Sequence, residues 1–287
     1  MILITGATGQ LGTAVIETLL KKTSADQIAG LARSAEKAVS LKEQGVDIRI
    51  GDYEDTTSLE QAMQGVDKVL LVASNDEDKR GQQHRNVVDA AKKAGVGCVA
   101  YTSRTLKDPT TMENKLMEGH FKTEDDLKAS GLGYIIFRNV LYMDAVPQFV
   151  GGEKVFETGI NFPTSDGRVP FALRSDMGEA IATALLEDNC ANETYNLTGS
   201  ESYSFDDVAK ILTKLSGKEV EYTPVERTAF EAQLAERGVP EVQAQRIVGF
   251  LVDIGNGQED EVSPKMEQLL GRKPASLEEG LKILFKL

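Results

Sequence analysis

The sequence predicts an α/β fold: a doubly wound parallel sheet with a smaller C-terminal α/β lobe. Three observations carry that expectation. Short apolar runs alternate with amphipathic stretches, the runs do not alternate between apolar and polar residues, and a glycine-rich turn joins the first run to the first amphipathic stretch. Strands covered on both faces read as continuous apolar runs, because neither face meets water.

Ile2-Leu3-Ile4 is the first strand, and Leu11, Val15 and Leu19 mark one face of the helix after it. Gln27–Ala32 reads as the second strand, Val46–Ile50 as the third and Lys68–Val72 as the fourth. Cys98–Tyr101 and Tyr134–Phe137 follow, with helical patterns around 35–44, 56–64, 79–94 and 113–130 between the runs. Strand and helix in repeated alternation imply right-handed crossovers and a parallel sheet.

Beyond about residue 140 the rhythm loosens, with Pro147, Gly151-Gly152, Pro163 and Pro170 punctuating a loop-rich stretch. A helix then carries Met177, Ile181 and Leu185. Ser204-x-x-Asp207 reads as a capping box before Val208, Ile211, Leu212 and Leu215. Another short amphipathic helix runs through Leu277, Leu281, Ile283 and Leu284.

The 287 residues suffice for one large α/β domain with a small lobe, and 41% hydrophobic with 27% charged residues is ordinary globular composition. A net charge of −13 argues against nucleic-acid binding, because phosphate backbones need clustered Lys and Arg. Cys98 and Cys190 are far apart and in no metal spacing. Cys98 lies in an apolar run and is expected to be a buried free thiol, with no dependence on a disulfide, as suits a reducing cytoplasm. No metal site is expected. Met1 leads directly into the first strand, which predicts no secretion leader, and no apolar stretch approaches the ~20 residues that span a bilayer.

The strongest signal is Gly6-Ala7-Thr8-Gly9-Gln10-Leu11-Gly12, a glycine turn between first strand and first helix. A side chain there would block an approaching pyrophosphate, and the helix amino terminus offers that anion free N–H groups and a positive dipole end. The second strand runs into Leu31-Ala32-Arg33-Ser34, where NAD enzymes usually place an acid for the ribose hydroxyls. Arg33 can pair instead with a 2′-phosphate, which predicts NADP(H) as cofactor. Asp52 and Tyr53 after the third strand are placed to border the adenine, Asp52 having a loop cap as its alternative. Ala73, Ser74 and Asn75 after the fourth strand are placed to line the ribose. Residues 1–150 are read as the NADP-binding Rossmann domain and 151–287 as the substrate lobe, the boundary being approximate and the segments free to interleave.

The chain resembles the NmrA-like, atypical short-chain dehydrogenase/reductases, and within them the bacterial NAD(P)H:quinone oxidoreductase branch related to triphenylmethane dye reductase. The likeness is carried by residues 4–12, Arg33, 51–53, 83–87, 100–103, His120, Thr123-Glu124, Phe137-Arg138-Asn139-x-x-Tyr142 and 195–197. It implies a Rossmann domain, a small substrate lobe and NADPH-dependent two-electron reduction of quinone-like acceptors. Thr102, Phe137, Arg138 and Asn139 are the matching positions expected beside the cofactor.

None of the seven tyrosines has lysine four residues later, so the Tyr-x-x-x-Lys pair of typical short-chain dehydrogenases is missing. That argues against alcohol oxidation and sugar epimerisation. Reduction of a quinone asks mainly for positioning of nicotinamide against acceptor. His120, on a helix face with Leu116, Thr123 and Leu127, is the candidate for polarising a carbonyl or donating a proton. His84, beside Val87, Val88 and Ala91, reads as packing. Asn139 can hydrogen-bond a carbonyl and Tyr142 offers an aromatic face. Phe149, Phe156, Phe162 and Phe171 are candidates for a pocket floor or for core. A non-catalytic NADP(H)-sensing regulator acting on a partner protein is the competing reading, and a reductase of dyes, enones or other flat electrophiles a third. The partner is a small molecule, with homo-oligomers left open.

Overall fold

The computed structural model describes residues 1–187, 190 and 192–287. The first half of the chain runs β1 (Ile2–Ile4), α1 (Gln10–Lys22), β2 (Ile28–Ala32), α2 (Val39–Glu43), β3 (Asp47–Ile50), α3 (Thr56–Ala62), β4 (Lys68–Leu71), α4 (Arg80–Ala94), β5 (Cys98–Arg104), α5 (Glu118–Ala129) and β6 (Gly133–Asn139). Then come α6 (Val146–Phe149), α7 (Val155–Thr158), β7 (Ile160–Phe162), β8 (Arg168–Val169), α8 (Arg174–Leu186), β9 (Glu193–Leu197) and β10 (Tyr203–Ser204). The last elements are α9 (Phe205–Ser216), β11 (Tyr222–Pro224), α10 (Arg227–Glu236), α11 (Glu241–Gly255), α12 (Lys265–Leu270) and α13 (Leu277–Phe285).

The chain forms two compact units, one of Met1–Arg104, Met117–Asn139 and Arg174–Asn196, the other of Thr105–Leu116, Val140–Leu173 and Leu197–Leu287. The first contains a seven-stranded sheet in the order β3-β2-β1-β4-β5-β6-β9. Pairing from β3 to β6 is parallel throughout, as the apolar runs require. The order reverses at β1, which places a topological switch point between β1 and β4. Leu3, Leu31, Val69, Leu71, Val99 and Ile136 make the core on one face.

Two elements depart from the expected pattern. The helix carrying Met177, Ile181 and Leu185 is α8, and it packs on α1 in the first unit: a Cβ on Gly178 would lie 2.7 Å from Ala14 Cβ, so small residues let these helices touch. β9 adds a seventh strand at the edge that the apolar-run reading passes over, because Glu193, Thr194 and Asn196 leave it only Tyr195 and Leu197 to bury.

The cysteines correct the sequence reading. Cys98 and Cys190 form a disulfide with Cα atoms 6.0 Å apart. Their 92-residue separation is bridged because β9 lies beside β6, which lies beside β5, so the start of β9 returns near the start of β5. Among the described residues there is no group of three or more His, Cys, Asp or Glu able to hold a metal ion, and no helix long and apolar enough to cross a membrane.

In the second unit β8 pairs antiparallel with β10 and β7 parallel with β11. Its core is aromatic: Phe162 meets Phe205 edge-on at 4.9 Å and Phe230 at 5.8 Å, and Phe171 meets Phe205 at 6.0 Å. Phe149 stacks on Phe250, and Phe156 meets Phe285 edge-on. The Ser204–Asp207 capping box opens α9 as expected, and Ser276–Glu279 forms a second one at α13. Each satisfies amide donors that the first helical turn leaves unpaired.

Candidate active site

β1 ends at Ile4, and the chain turns at Gly6 with φ +58°, a left-handed conformation that favours glycine. Gly9 N–H donates to Gly6 C=O at 2.9 Å, closing the turn, and Thr13 N–H to Gly9 C=O at 2.9 Å begins α1. Gly12 has a different reason: a Cβ there would sit 2.3 Å from the Gly6 carbonyl oxygen, so a side chain would force helix and turn apart. Ala7 and Leu11 are buried, whereas Gly6, Thr8, Gly9 and Gln10 are exposed. The first turn of α1 holds no acidic side chain and no side-chain cap. Its amides are thus left for an anion.

Arg33, just past β2, is exposed, and among the described residues no carboxylate pairs with it. Asp52 accepts from Glu54 N–H at 2.9 Å, while its own N–H donates to Ser58 Oγ, so it caps its loop. The Tyr53 ring is turned inward. Its hydroxyl sits against Thr5 Oγ1 and 2.9 Å from the Val72 carbonyl, and burial raises its pKa against the pull of the Thr5 hydrogen bond. Thr5 is a hub that reading by motif passed over: Oγ1 also donates to Leu70 C=O at 3.0 Å and accepts from Val72 N–H at 2.9 Å.

The turn after β4 is fixed by side chains on all sides. Ala73 N–H donates to Thr102 Oγ1 at 2.9 Å, which occupies that predicted residue. Ser74 N–H donates to His84 Nε2 at 2.9 Å, Ser74 C=O accepts from Arg80 Nε at 3.0 Å, and Ser74 Oγ donates to Gln83 Oε1. Asn75 is exposed.

His120 is buried, and its Nδ1 lies 2.9 Å from the hydroxyl of Tyr101, itself fully buried. Burial, reinforced by Arg80 and Arg104, drives the His120 pKa well below its ordinary value. It is therefore a neutral imidazole at physiological pH, able to offer a hydrogen bond but holding no imidazolium proton to donate. Phe137 is buried and packs on Tyr195 at 6.0 Å. Arg138 is engaged by Glu124 through Nε at 2.9 Å and a terminal nitrogen at 2.7 Å. Burial alone would raise the Glu124 carboxyl, but Arg138 and Ser103 outweigh it and hold it below the usual range. Asn139 is buried at the end of β6. Tyr142 belongs to the second unit, where its backbone bridges Ala172.

Hydrogen bonds among Thr5, Tyr53, Val72, Ala73 and Thr102 tie the turns after β1 and β4 together at one end of the sheet. Tyr101 precedes Thr102 on β5, where its place in an apolar run marks it only as core. Alternation along β5 puts them on opposite faces, Tyr101 toward α4 and α5.

The NmrA-like family model matches residues 1–281. The chain is 36% identical over 288 residues to quinone oxidoreductase 2 of Escherichia coli (strain K12), covering 100% of this chain and 99% of that protein. Among solved structures it is similar to an NADPH-dependent quinone oxidoreductase of Escherichia coli complexed with NADPH, at TM-score 0.92 and 35% identity, covering 99% of this chain and 100% of that one. The triphenylmethane reductase of Citrobacter sp. complexed with NADP(H) gives TM-score 0.91 and 36% identity, with 99% and 100% covered. These spans bear out the resemblance read from the motifs: the chain belongs to the NmrA-like family.

Proposed function

We propose that this protein binds NADPH on its glycine turn and reduces quinones or similar flat electrophiles by direct hydride transfer. The observation that carries the reading is the uncapped, acid-free amino terminus of α1, opening on a turn with no room for a Cβ at Gly12, with Arg33 exposed just past β2. Such a cradle suits a pyrophosphate, and Arg33 suits a 2′-phosphate through charge-assisted hydrogen bonds. The relatives named above add the reaction class.

When bound, the cofactor supplies the hydride. The protein's own part is positioning and electrostatics. Gly6, Ala7, Thr8, Gly9, Gln10 and Leu11 form the cradle. Thr102 fixes the Ala73 amide and so the turn that borders the ribose. Asn139 is assigned to orient the acceptor, and His120 to offer a hydrogen bond as a neutral imidazole. The product oxygen takes its proton from water, since a neutral imidazole is too weak an acid to supply it.

The test is steady-state oxidation of NADPH by a panel of quinones, followed through nicotinamide absorbance with NADH as control. Turnover with NADPH preferred supports the reading. Tight NADPH binding with no turnover of any quinone, dye or enone would overturn it in favour of a sensing role.

A further inference from the structure

We propose that His84 is a positioning residue for the cofactor: with Arg80 and Gln83 it clamps Ser74 and so sets the shape of the turn after β4. The inference rests on reading the first unit as an NADPH site. It reverses the expectation that His84 is only packed.

The turn lies where a dinucleotide must pass. Strand order reverses at β1, so the turns after β1 and β4 flank the switch point. They touch there: a Cβ on Gly6 would meet Val72 Cβ at 3.3 Å, and Val72 N–H donates to Thr5. Any shift of residues 72–75 is a shift of one wall of the glycine cradle.

Arg80, Gln83 and His84 stand at i, i+3 and i+4 on α4 and share one helical face. That face takes every polar group of Ser74: the carbonyl by Arg80, the hydroxyl by Gln83 and the amide by His84. His84 is anchored in turn, its Nδ1 lying 2.9 Å from Thr123 Oγ1, and Thr123 donates to Gly119 C=O at 2.8 Å. The directions are forced. An amide can only donate, so Nε2 is bare, the imidazole proton is on Nδ1, and it points to Thr123.

This arrangement works only with a neutral ring, since a proton on Nε2 would face the Ser74 N–H. Burial, helped by the Arg80 charge, brings the His84 pKa down to about 3. The groups around the ring are Arg80 on its own helix, Tyr53 and Tyr101 edge-on at 6.4 and 5.2 Å, and Thr123 and His120 on α5. None is a carboxylate that would favour the imidazolium.

Two substitutions separate positioning from packing. His84→Asn keeps a donor near the Nδ1 position but loses the acceptor at Nε2. His84→Gln does the reverse, reaching the Ser74 amide and releasing Thr123. NADPH dissociation constants by nicotinamide fluorescence, kcat, KM for NADPH and for a quinone, and melting temperatures are measured for both. We expect His84→Asn to weaken NADPH about tenfold, the size of one orphaned amide, with quinone KM unchanged and kcat at saturating NADPH nearly so. His84→Gln should stay within about threefold of wild type. In addition, the chain has only two histidines, so ¹⁵N NMR of the imidazoles reads their tautomers directly and should find His84 protonated on Nδ1.

Equal NADPH affinity in the two variants, or a wild-type His84 protonated on Nε2, overturns the proposal. If wild type itself binds no NADPH, the functional reading fails and takes the proposal with it. That outcome is distinct from failure of the clamp, which leaves wild-type binding intact.

Discussion

The hydroxyl of Tyr101 on β5 lies 2.9 Å from Nδ1 of His120 on α5, and both side chains are buried. This hydrogen bond fixes the ring's orientation. If His120 helps the acceptor, Tyr101→Phe should lower kcat with quinones about tenfold, the size of one hydrogen bond weakened by a misplaced ring, with NADPH affinity held. Unchanged kcat in a folded Tyr101→Phe variant would reduce His120 to packing.

Gly12→Ala asks whether the turn must stay closed. Its Cβ would meet the Gly6 carbonyl oxygen at 2.3 Å, against backbone that cannot step aside cheaply. NADPH affinity should fall at least about tenfold, equivalent to ~1.4 kcal/mol, and the melting temperature should drop with it. A folded Gly12→Ala protein with wild-type affinity would show that the approach of α1 to the turn is not needed.

Stability should fall with acidification, and the sign follows from the histidines. His84 has its pKa near 3 when folded and His120 lies well below its ordinary value, against ~6.5 unfolded. Below pH ~6.5 the unfolded chain binds protons that the folded protein refuses, so stability is lost as pH falls. For His84 the loss is roughly 2 kcal/mol by pH 5, before carboxylates titrate strongly, and His120 adds to it in the same direction. Denaturant melts at pH 8, 6 and 5 measure it, and His84→Gln should remove the His84 share. A flat profile from pH 7 to 5 would contradict the burial of both rings.

The Cys98–Cys190 disulfide closes a long loop and should contribute about 2–4 kcal/mol by restricting the unfolded chain. Protein purified without reductant and then denatured should titrate no free thiol, and reductant should lower its melting temperature by several degrees. Two free thiols, with no response to reductant, would contradict the bond.

What could be read from the sequence was local. The glycine turn, six strands of the sheet and the Ser204 capping box declare themselves through turn chemistry and apolar runs, and the structure keeps them. The helix expected over 113–130 begins only at Glu118, after a short 3₁₀ turn, since the apolar pattern continues through Leu116 and Met117 without marking where the coil straightens. Features that depend on chain crossings were hidden. Cys98 and Cys190 meet only because β9 returns beside β6, and α8 joins the first unit because Gly178 fits Ala14. His84 looked apolar by its helical neighbours Val87, Val88 and Ala91. Its role depends on the path of the loop at Ser74, which no periodicity reports. Asp253 is a similar case: its buried carboxylate receives Glu113 and Asn114 N–H at 2.7 and 3.0 Å, some 140 residues away.

The central claim is that the backbone cradle and Arg33 together select a phosphorylated dinucleotide. The chain has no tryptophan, so nicotinamide fluorescence reports binding against a clean background. Titrations of wild type and Arg33→Asp with NADPH and NADH test it most directly. The account predicts that wild type prefers NADPH and that Arg33→Asp loses at least tenfold more affinity for NADPH than for NADH, a difference of ~1.4 kcal/mol or more. Equal losses for the two dinucleotides would contradict it.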